Sequence, residues 1–307
     1  MSEYTDYRLR LRLLSPLGTP MQSDTVFGHL AWQVAHREGA AAVEAFLAPF
    51  LAGAPPFILS DAFPAGLLPR PLFPFAGRAG EGGRASYAEA KRKGKAPFLR
   101  AEDFLRAGAG TETAPEPVLS PWRTVETPHA SIDRNTWTTT PGGQFFLTQA
   151  ETLSAGFDSV DLYLRAKDGW AGKVAGLFRA MAPEGFGRDK SIGRGAYEVV
   201  EMEPWPAFGE AAGAANAFVS LSTFMPAAAD PTDGRWRIRV KRGYLGGIAG
   251  DGNPFKRPLL EFEPGAVFRA PGGPAPFYGR IARDVAPGFP SAVQCGYTLA
   301  YACRWPA

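Results

Sequence analysis

The chain opens on an alternating pattern of apolar and basic residues. Over residues 7–14, apolar side chains occupy every second position, and Arg8, Arg10 and Arg12 occupy the positions between them. A period of two predicts a half-buried β-strand with one apolar and one basic side. The basic side is either a line of positive charge that can meet a partner or a set of ordinary solvated side chains.

A helical period follows this strand. Val26, Leu30 and Val34 recur at every fourth position, and Gly39 is placed to end the helix. Ser23 or Asp24 stands where a helix cap is expected. A second helix is predicted over residues 41–50, before the prolines, and a short strand over residues 57–60. This order is typical of the beginning of a split βαβ, ferredoxin-like unit.

The rest of the chain alternates short strands with glycine-rich and polar connections. The patterns predict helical turns at 101–107, a β-hairpin at 128–143, strands at 144–151 and 157–165, and a helix at 170–181. Further strands are predicted at 197–202, 218–224, 236–244 and 293–303. The predicted fold class is therefore α+β, with two units over residues 1–143 and 144–307.

Composition narrows the class of protein. The 307 residues include 36 glycines and 29 prolines, too many for a helical bundle, and hydrophobic residues make up 45%, so the chain is globular. Two cysteines, Cys295 and Cys303, cannot form a disulfide scaffold. The sequence has no visible signal segment or membrane span, so we expect a reduced, cytoplasmic protein with no membrane partner.

The net charge of +3 conceals a sorted distribution. Residues 78–106 hold eight basic and four acidic residues, and a basic, glycine-rich loop is predicted over about 75–97. Residues 234–257 hold seven basic residues and one acidic residue. In this tract Arg235, Arg237 and Arg239 alternate with apolar residues, which predicts one basic face and one core face. Such a face suits an RNA backbone, although an exposed edge strand protected by charge also shows arginines.

A second candidate for RNA is the glycine-rich segment at residues 185–195. Its Lys-Ser pair resembles the end of a P-loop, but Asp189 stands where a P-loop has glycine, so nucleoside triphosphate binding is not predicted. Glycines allow close backbone approach, and Arg188, Lys190 and Arg194 add positive charge. The segment fits a phosphate backbone or, alternatively, is a solvated hairpin loop.

Signatures of enzymes are absent from the sequence. The three histidines, His29, His36 and His129, are too scattered for a metal motif, and no nucleophile motif stands in a strand–turn–helix context. We therefore expect no cofactor, no metal site and no catalytic residue.

Several short segments, taken in order, resemble a known protein family. They are Ser23-Asp-Thr-Val-Phe-Gly28, Phe57-Ile-Leu-Ser-Asp-Ala-Phe-Pro64, Leu68-Pro-Arg-Pro71, Ile132-Asp-Arg134, Gly187-Arg-Asp-Lys-Ser-Ile-Gly-Arg-Gly195 and Cys295-Gly-Tyr297. Together they extend over almost the whole chain and are similar to subunit four of the Csm complex, the type III-A CRISPR effector. That family belongs to the RAMP superfamily, in its Cas-five-like group.

The resemblance implies both a fold and a function. It implies two ferredoxin-like domains, related to RNA-recognition motifs, with a β-hairpin thumb and a Gly-rich loop. It also implies a non-catalytic, RNA-binding subunit in antiviral defence. Such a subunit holds the 5′ repeat-derived handle of the guide crRNA, docks on the large Cas-ten-like subunit and meets a neighbouring backbone RAMP subunit.

The predicted RNA-binding residues follow from the matching positions and from the basic tract. They are Ser23, Asp24, Phe27, Gly28 and His29 at the helix start; Ile132, Asp133 and Arg134 in the thumb; Gly187, Arg188, Lys190, Ser191, Gly193, Arg194 and Gly195 in the Gly-rich loop; and Arg239, Lys241 and Arg242 in the basic tract. Phe186, Trp137 and Tyr244 are candidate platforms for base stacking.

An alternative function is that of a RAMP endoribonuclease that processes precursor guide RNA. It would use Asp24 beside a metal ion or His29 as a general base. Helix capping explains Asp24 equally well. No second acid is placed in the sequence to share a metal ion with it.

Overall fold

Two antiparallel sheets and a long two-stranded ribbon form the framework of the protein. The computed structural model describes residues 3–74, 91–110, 115–139, 145–209, 215–246 and 253–306. The strands are β1 (Thr5–Leu13), β2 (Phe57–Pro64), β3 (Leu67–Pro69), β4 (Phe98–Arg100), β5 (Trp122–Ala130), β6 (Phe145–Leu153), β7 (Ser159–Ala166), β8 (Tyr197–Pro204), β9 (Ala217–Ser220), β10 (Gly234–Arg235), β11 (Ile238–Lys241), β12 (Leu259–Phe262), β13 (Val267–Arg269), β14 (Phe277–Ala282) and β15 (Gln294–Cys303). The helices are α1 (Ser23–Glu38), α2 (Ala40–Leu51), α3 (Ala101–Gly108) and α4 (Trp170–Met181). The α+β prediction is confirmed.

The first sheet has the strand order β2-β7-β1-β8, with every neighbouring pair antiparallel. Its alternating apolar residues face the core, so Leu9 and Leu11 of β1 are 1% and 0% exposed. The sequence of β1, α1, β2, β7, α4 and β8 follows the β–α–β–β–α–β order of a ferredoxin-like unit. Two of these strands come before residue 143 and two after it, so the predicted division between residues 143 and 144 crosses this sheet.

The second sheet has the order β10-β13-β9-β15-β14 and uses only strands that follow residue 204. The helix predicted for this half, α4, packs instead against α1 of the first unit. Within the described residues after β8, the helical structure is a 3₁₀ turn at Pro206–Phe208. This part of the chain therefore does not show the strand–helix alternation that a second ferredoxin-like unit would have.

The two sheets share one hydrophobic core. A single cluster of buried apolar side chains runs from Leu11 of the first sheet to Leu299 and Tyr301 of the second. An aromatic group at its centre joins Phe27 of α1 to Phe50 of α2, with ring centroids 4.7 Å apart. Because this core is continuous, the two sheets are held as layers of one packed structure.

The two-stranded ribbon is formed by β5 and β6, which pair from Trp122 opposite Leu153 to Ala130 opposite Phe145. The hairpin predicted at 128–143 is therefore the outer end of a longer ribbon. Its tip is described to residue 139. Most of the basic loop predicted at 75–97 lies outside the described residues, which leave out 75–90.

The basic tract differs from its prediction. The single strand expected at 236–244 is replaced by β10 in the second sheet and β11, which pairs with β12 in a separate two-stranded sheet. The expected core face is exposed: Ile238 and Val240 are 49% and 57% accessible to solvent. The prediction of a core face is wrong because β11 turns its basic side chains, not its apolar ones, toward the body of the protein.

Candidate nucleic-acid interface

The start of α1 is held by a buried carboxylate from β2. Asp61 accepts hydrogen bonds from the backbone N–H of Ser23 and of Thr223, both at 2.9 Å. Its other oxygen accepts a bond of 2.7 Å from the Thr223 hydroxyl. The N-cap position is Gln22, whose side chain makes no capping bond. The capping role predicted for Ser23 or Asp24 is therefore wrong, and Asp61 satisfies the helix start from a distant strand.

Asp24 lies at the centre of a second buried polar group. Its carboxylate accepts hydrogen bonds from the Lys241 ammonium and from the side-chain amide of Gln294. Lys256 donates to the amide oxygen of Gln294 at 2.6 Å, and burial lowers the pKa of its ammonium. The Asp24 side chain is 1% exposed, and its carboxylate is paired with one cation of its own chain, Lys241.

Arg239 forms the second ion pair of this buried group. It donates to the Glu261 carboxylate at 3.0 and 3.1 Å and to the side-chain oxygen of Gln22 at 2.7 Å. Burial, followed by the nearby Asp24 carboxylate, raises the pKa of Glu261 to about 7. Of the three basic-tract residues predicted to bind RNA, Arg239 and Lys241 are thus balanced by carboxylates, and Arg242 is exposed.

Further along α1, the residues that were predicted to bind RNA have different environments. Phe27 belongs to the core, whereas Gly28 has open space where a Cβ atom would stand. The His29 ring lies 4.6 Å from that of Phe186. Burial, followed by the charge of Lys190, lowers the pKa of His29 to about 4. Phe186 is 0% exposed, so the prediction that it offers a platform for a base is wrong.

The Gly-rich loop is folded tightly against the segment between β1 and α1. The backbone N–H of Arg188 donates to the Thr19 hydroxyl at 3.0 Å, and that of Gly195 to the carbonyl of Pro16 at 2.9 Å. Gly195 has φ +71°, and a Cβ atom there would stand 2.0 Å from the carbonyl oxygen of Phe186. Only glycine fits such a close approach, so at this position the backbone packs against its own chain.

The same loop anchors the base of the ribbon. Arg194 is 8% exposed and donates to the hydroxyls of Thr127 in β5 and Thr148 in β6, at 3.0 and 2.9 Å. Arg188 donates to the carbonyl of Gln149 at 2.7 Å. Arg194 is therefore a structural link between loop and ribbon, whereas the side chains of Arg188 and Lys190 are 50% and 39% exposed.

The outer surface of the loop is a short 3₁₀ turn, Lys190–Ile192, that follows Asp189 in the left-handed region at φ 64°. Ser191 and Gly193 are exposed there. The Lys190 ammonium lies 3.3 Å from the Glu184 carboxylate. The turn presents Lys190, Ser191 and the apolar side chain of Ile192, which is 63% exposed, to solvent.

The ribbon tip is organised by Asp133. Its carboxylate accepts a bond of 2.8 Å from the backbone N–H of Asn135, and its carbonyl accepts one of 2.8 Å from Trp137. Trp137 has φ 55° and is 83% exposed. A large residue in the left-handed region is costly and is found mainly where function requires it. Ile132 and Arg134 are also exposed, so the tip presents an indole, an apolar side chain and a guanidinium.

A cleft that the sequence did not predict opens beside the ribbon. It has a volume of about 620 Å³ and lies between β2, the segment after β3, the base of the ribbon and β10–β11. Its lining includes Arg70, Arg235, Arg237, Trp122 and Trp236. Arg70 belongs to the Leu-Pro-Arg-Pro segment of the family resemblance, the only signal that pointed to it. No feature of the sequence pointed to Trp122, because only the packing of the ribbon brings this residue to the cleft.

Two kinds of feature are absent from the described residues. Histidine, cysteine and acidic side chains do not form a group of three or more that could hold a metal ion. No helix in the described part of the chain is long and apolar enough to cross a membrane.

Comparisons with known proteins give a structural likeness only. No family model and no curated protein matches the chain. A crystal structure of a Csm1–Csm4 cassette in complex with cA4 contains a chain that matches with a TM-score of 0.62 at 19% identity, over 98% of this chain and 99% of that one. The same cassette with pppApA matches with a TM-score of 0.61 at 20% identity, over 98% and 99%.

A third match comes from a different pair of subunits. The Csm3–Csm4 subcomplex of the type III-A CRISPR-Cas interference complex contains a chain that matches with a TM-score of 0.57 at 14% identity, over 94% of this chain and 98% of that one. Csm4 is the subunit that these assemblies have in common. The chain therefore has the fold of chains found in these Csm assemblies, which agrees with the resemblance seen in the sequence.

Proposed function

We propose that this chain is a subunit of a type III-A CRISPR interference complex, the Csm complex, and acts in the cytoplasm. In this proposal it holds the 5′ repeat-derived handle of the guide crRNA and connects the large Cas-ten-like subunit to the backbone RAMP filament. The observation that carries the proposal is the match over nearly the full length of chains from both a Csm1–Csm4 and a Csm3–Csm4 assembly.

Two surfaces support a role in RNA binding. Arg134 at the ribbon tip is exposed, and so are the Arg188 and Lys190 side chains at the ribbon base. Trp137 offers an exposed indole at the same ribbon tip as Arg134. Single-stranded RNA is held by positive charge along its backbone and by aromatic rings against its bases. We therefore assign the role of an RNA-contacting thumb to the β5–β6 ribbon.

Exposed apolar side chains support a role within an assembly. One group lies near the end of the ribbon, where Phe145, Phe146 and Leu147 are 70%, 47% and 54% exposed. Another lies on the outer face of the β11–β12 sheet, at Val240 and Leu260. Isolated proteins rarely expose such groups together, and they are typical of protein contacts.

The residues on which the nuclease alternative depends are engaged in the fold. Asp24 pairs with Lys241, and His29 packs against Phe186. The Asp24 carboxylate is buried in that pair, and the His29 ring is only partly exposed. This supports a binding role without catalysis for the chain.

The test is handle-specific binding by the reconstituted assembly. The chain is co-purified with the large and backbone subunits of its own system, and binding is measured for guide RNA with its natural handle and with a scrambled handle of equal length. We expect tighter binding of the natural handle. The double variant Arg134→Glu/Lys190→Glu should weaken it at least tenfold, with a shallower dependence on salt because phosphate contacts are lost.

Arg179→Glu is the matched control, because Arg179 is an exposed arginine on α4. It should bind as the unmodified protein does. Arg194 is unsuitable for charge reversal, since its side chain is buried between loop and ribbon. Equal affinity for both handles, or no effect of the double variant, would contradict the proposal.

A further inference from the structure

The cleft beside the ribbon contains arginines whose charge is not balanced within the described residues. Arg70, Arg235 and Arg237 line it, and none of them forms an ion pair within 4 Å there. Arg239, which also lines the cleft, differs because Glu261 neutralises it. The cleft thus brings together three guanidinium groups that are available to an added anion.

Two of these arginines are close enough to affect each other. Arg70 is half-buried and donates to the carbonyl of Lys93 at 2.9 Å. Burial, followed by the charge of Arg237, lowers the pKa of the Arg70 guanidinium. Arg70 is half-buried and Arg237 is exposed, and an anion that binds beside both relieves the repulsion between their charges. This arrangement therefore favours binding of a phosphate between Arg70 and Arg237.

Aromatic rings stand beside the arginines. Trp236 lies on the ring of Phe268, with centroids 5.4 Å apart and an angle of 7° between planes, and it is 38% exposed. One face of the indole is thus supported by the core while part of the ring remains accessible. Trp122 lines the cleft from the ribbon side. Supported, partly exposed rings are the platforms on which nucleic-acid bases stack.

Three carboxyl groups also line the cleft: Asp61, Glu151 and Glu263. Asp61 is engaged by Ser23 and Thr223. Burial raises the pKa of Glu151. These carboxyl groups lower the net positive charge of the cleft, so binding of a phosphate depends on its direct contact with Arg70 and Arg237.

We propose that this cleft binds one or two consecutive nucleotides of single-stranded RNA, with phosphates at Arg70 and Arg237 and a base against Trp236. Its volume of about 620 Å³ falls within the range of about 300–1,000 Å³ that is usual for small-ligand sites. The inference rests on the proposed function, because it gives the RNA-binding surface a specific nucleotide subsite. The cleft lies apart from the Gly-rich loop and the ribbon tip, so binding at the cleft and binding at the ribbon can be tested separately.

The experiment measures binding of a fluorescent eight-nucleotide RNA to the purified full chain across a range of salt concentrations. We expect Arg70→Ala/Arg237→Ala to weaken binding at least tenfold. The slope of log affinity against log salt should become shallower by about 0.7 for each lost phosphate contact. Trp236→Ala should weaken binding by roughly 5- to 150-fold, and Trp236→Phe should recover most of the loss. Arg179→Ala is the control and should change neither quantity.

The outcomes separate this inference from the proposed function. If the Arg70/Arg237 double variant binds as the unmodified chain does, while Arg134→Glu/Lys190→Glu loses affinity, the cleft is not an RNA subsite and the proposed function stands. If the unmodified chain and its assembly bind no RNA, both are overturned. Adenosine monophosphate serves as a competitor. If it displaces the oligonucleotide with similar affinity, the site takes a free nucleotide and the inference of a strand subsite is wrong.

Discussion

Strands β1 and β11 have the same pattern in sequence and opposite placements in the fold. Both alternate arginine or lysine with aliphatic residues. In β1, Leu9 and Leu11 are buried, and the arginines pair with acids of β7 and β8, from the largely buried Arg8 to the exposed Arg12, which pairs with Glu198 at 2.6 Å. In β11 the cations turn inward to Asp24 and Glu261, and the aliphatic residues face solvent.

The difference shows that an alternating pattern defines two unlike faces without saying which one the protein covers. The β8 neighbours of β1 carry acids at the positions opposite its arginines, so the charges of this face are neutralised. Of the two alternatives for the basic side of β1, a line of positive charge open to a partner is therefore wrong. The neighbours of β11 place their acids beneath the strand instead, and its apolar face is left outside.

Removing a buried acid should be the most damaging way to break this arrangement. Asp24→Ala leaves the Lys241 ammonium partly buried without its carboxylate, so we expect a loss of about 3–5 kcal/mol in the free energy of unfolding. Urea unfolding of the full chain measures it. The matched change on β1, Glu198→Ala, removes an exposed pair and should cost less than about 1 kcal/mol. Equal losses in the free energy of unfolding would show that the two ion pairs are buried to the same degree.

Truncating an aliphatic residue should destabilise the protein more in β1 than in β11, the reverse of the order expected for the acids. Leu11→Ala in β1 creates a cavity in the core, and we expect a loss of about 2–5 kcal/mol. Val240→Ala in β11 should change the free energy of unfolding by at most about 0.5 kcal/mol, because that side chain is 57% exposed. Unfolding in urea checks both. A loss above 2 kcal/mol for Val240→Ala would place this face inside the isolated protein.

The ion pairs of β1 and β11 should differ least in how they make the stability of the protein depend on pH. The pKa of Glu261 in the folded protein is about 7, above its ordinary value of 4.5, so the folded state binds more protons than the unfolded state between these values. The free energy of unfolding should therefore fall by roughly 1–3 kcal/mol as pH rises from about 4.5 to about 7, and then level off.

Denaturation of Glu261→Gln across this pH range isolates the contribution, since the variant should lose that part of the decline. Glu198→Gln, on the exposed pair of β1, should keep the decline unchanged. An identical pH profile for Glu261→Gln and the unmodified protein would show that Glu261 ionises normally.

Much of the local structure could be predicted, because local patterns depend on neighbours in sequence. The predicted helix at 170–181 coincides with α4, and the predicted strand at 7–14 agrees with β1 within two residues. The grouping of these elements into sheets could not be predicted. The pairing of β1 with β7 and β8 joins residues 147 or more positions apart, and no local pattern specifies that choice.

The candidate interface divides in the same way. Composition alone indicated the excess of arginine in residues 234–242, and the Gly-rich loop was recognisable from its residues. Which arginines are available depends on where Asp24, Glu261, Thr127 and Thr148 come to lie. These partners are distant in sequence, so their positions appear only in the folded chain.

The residue pattern was sufficient for the type of the elements that it predicted correctly, such as α1, α4 and β1, and for the concentration of arginine and glycine, because propensity and periodicity act over a few residues. Folding decided which charges are neutralised and which apolar faces remain open. It also brought Arg70 of the segment after β3 beside Arg237 to form the cleft. Electrostatic pairing and burial depend on distance in space, and the chain sets those distances only when its sheets pack together.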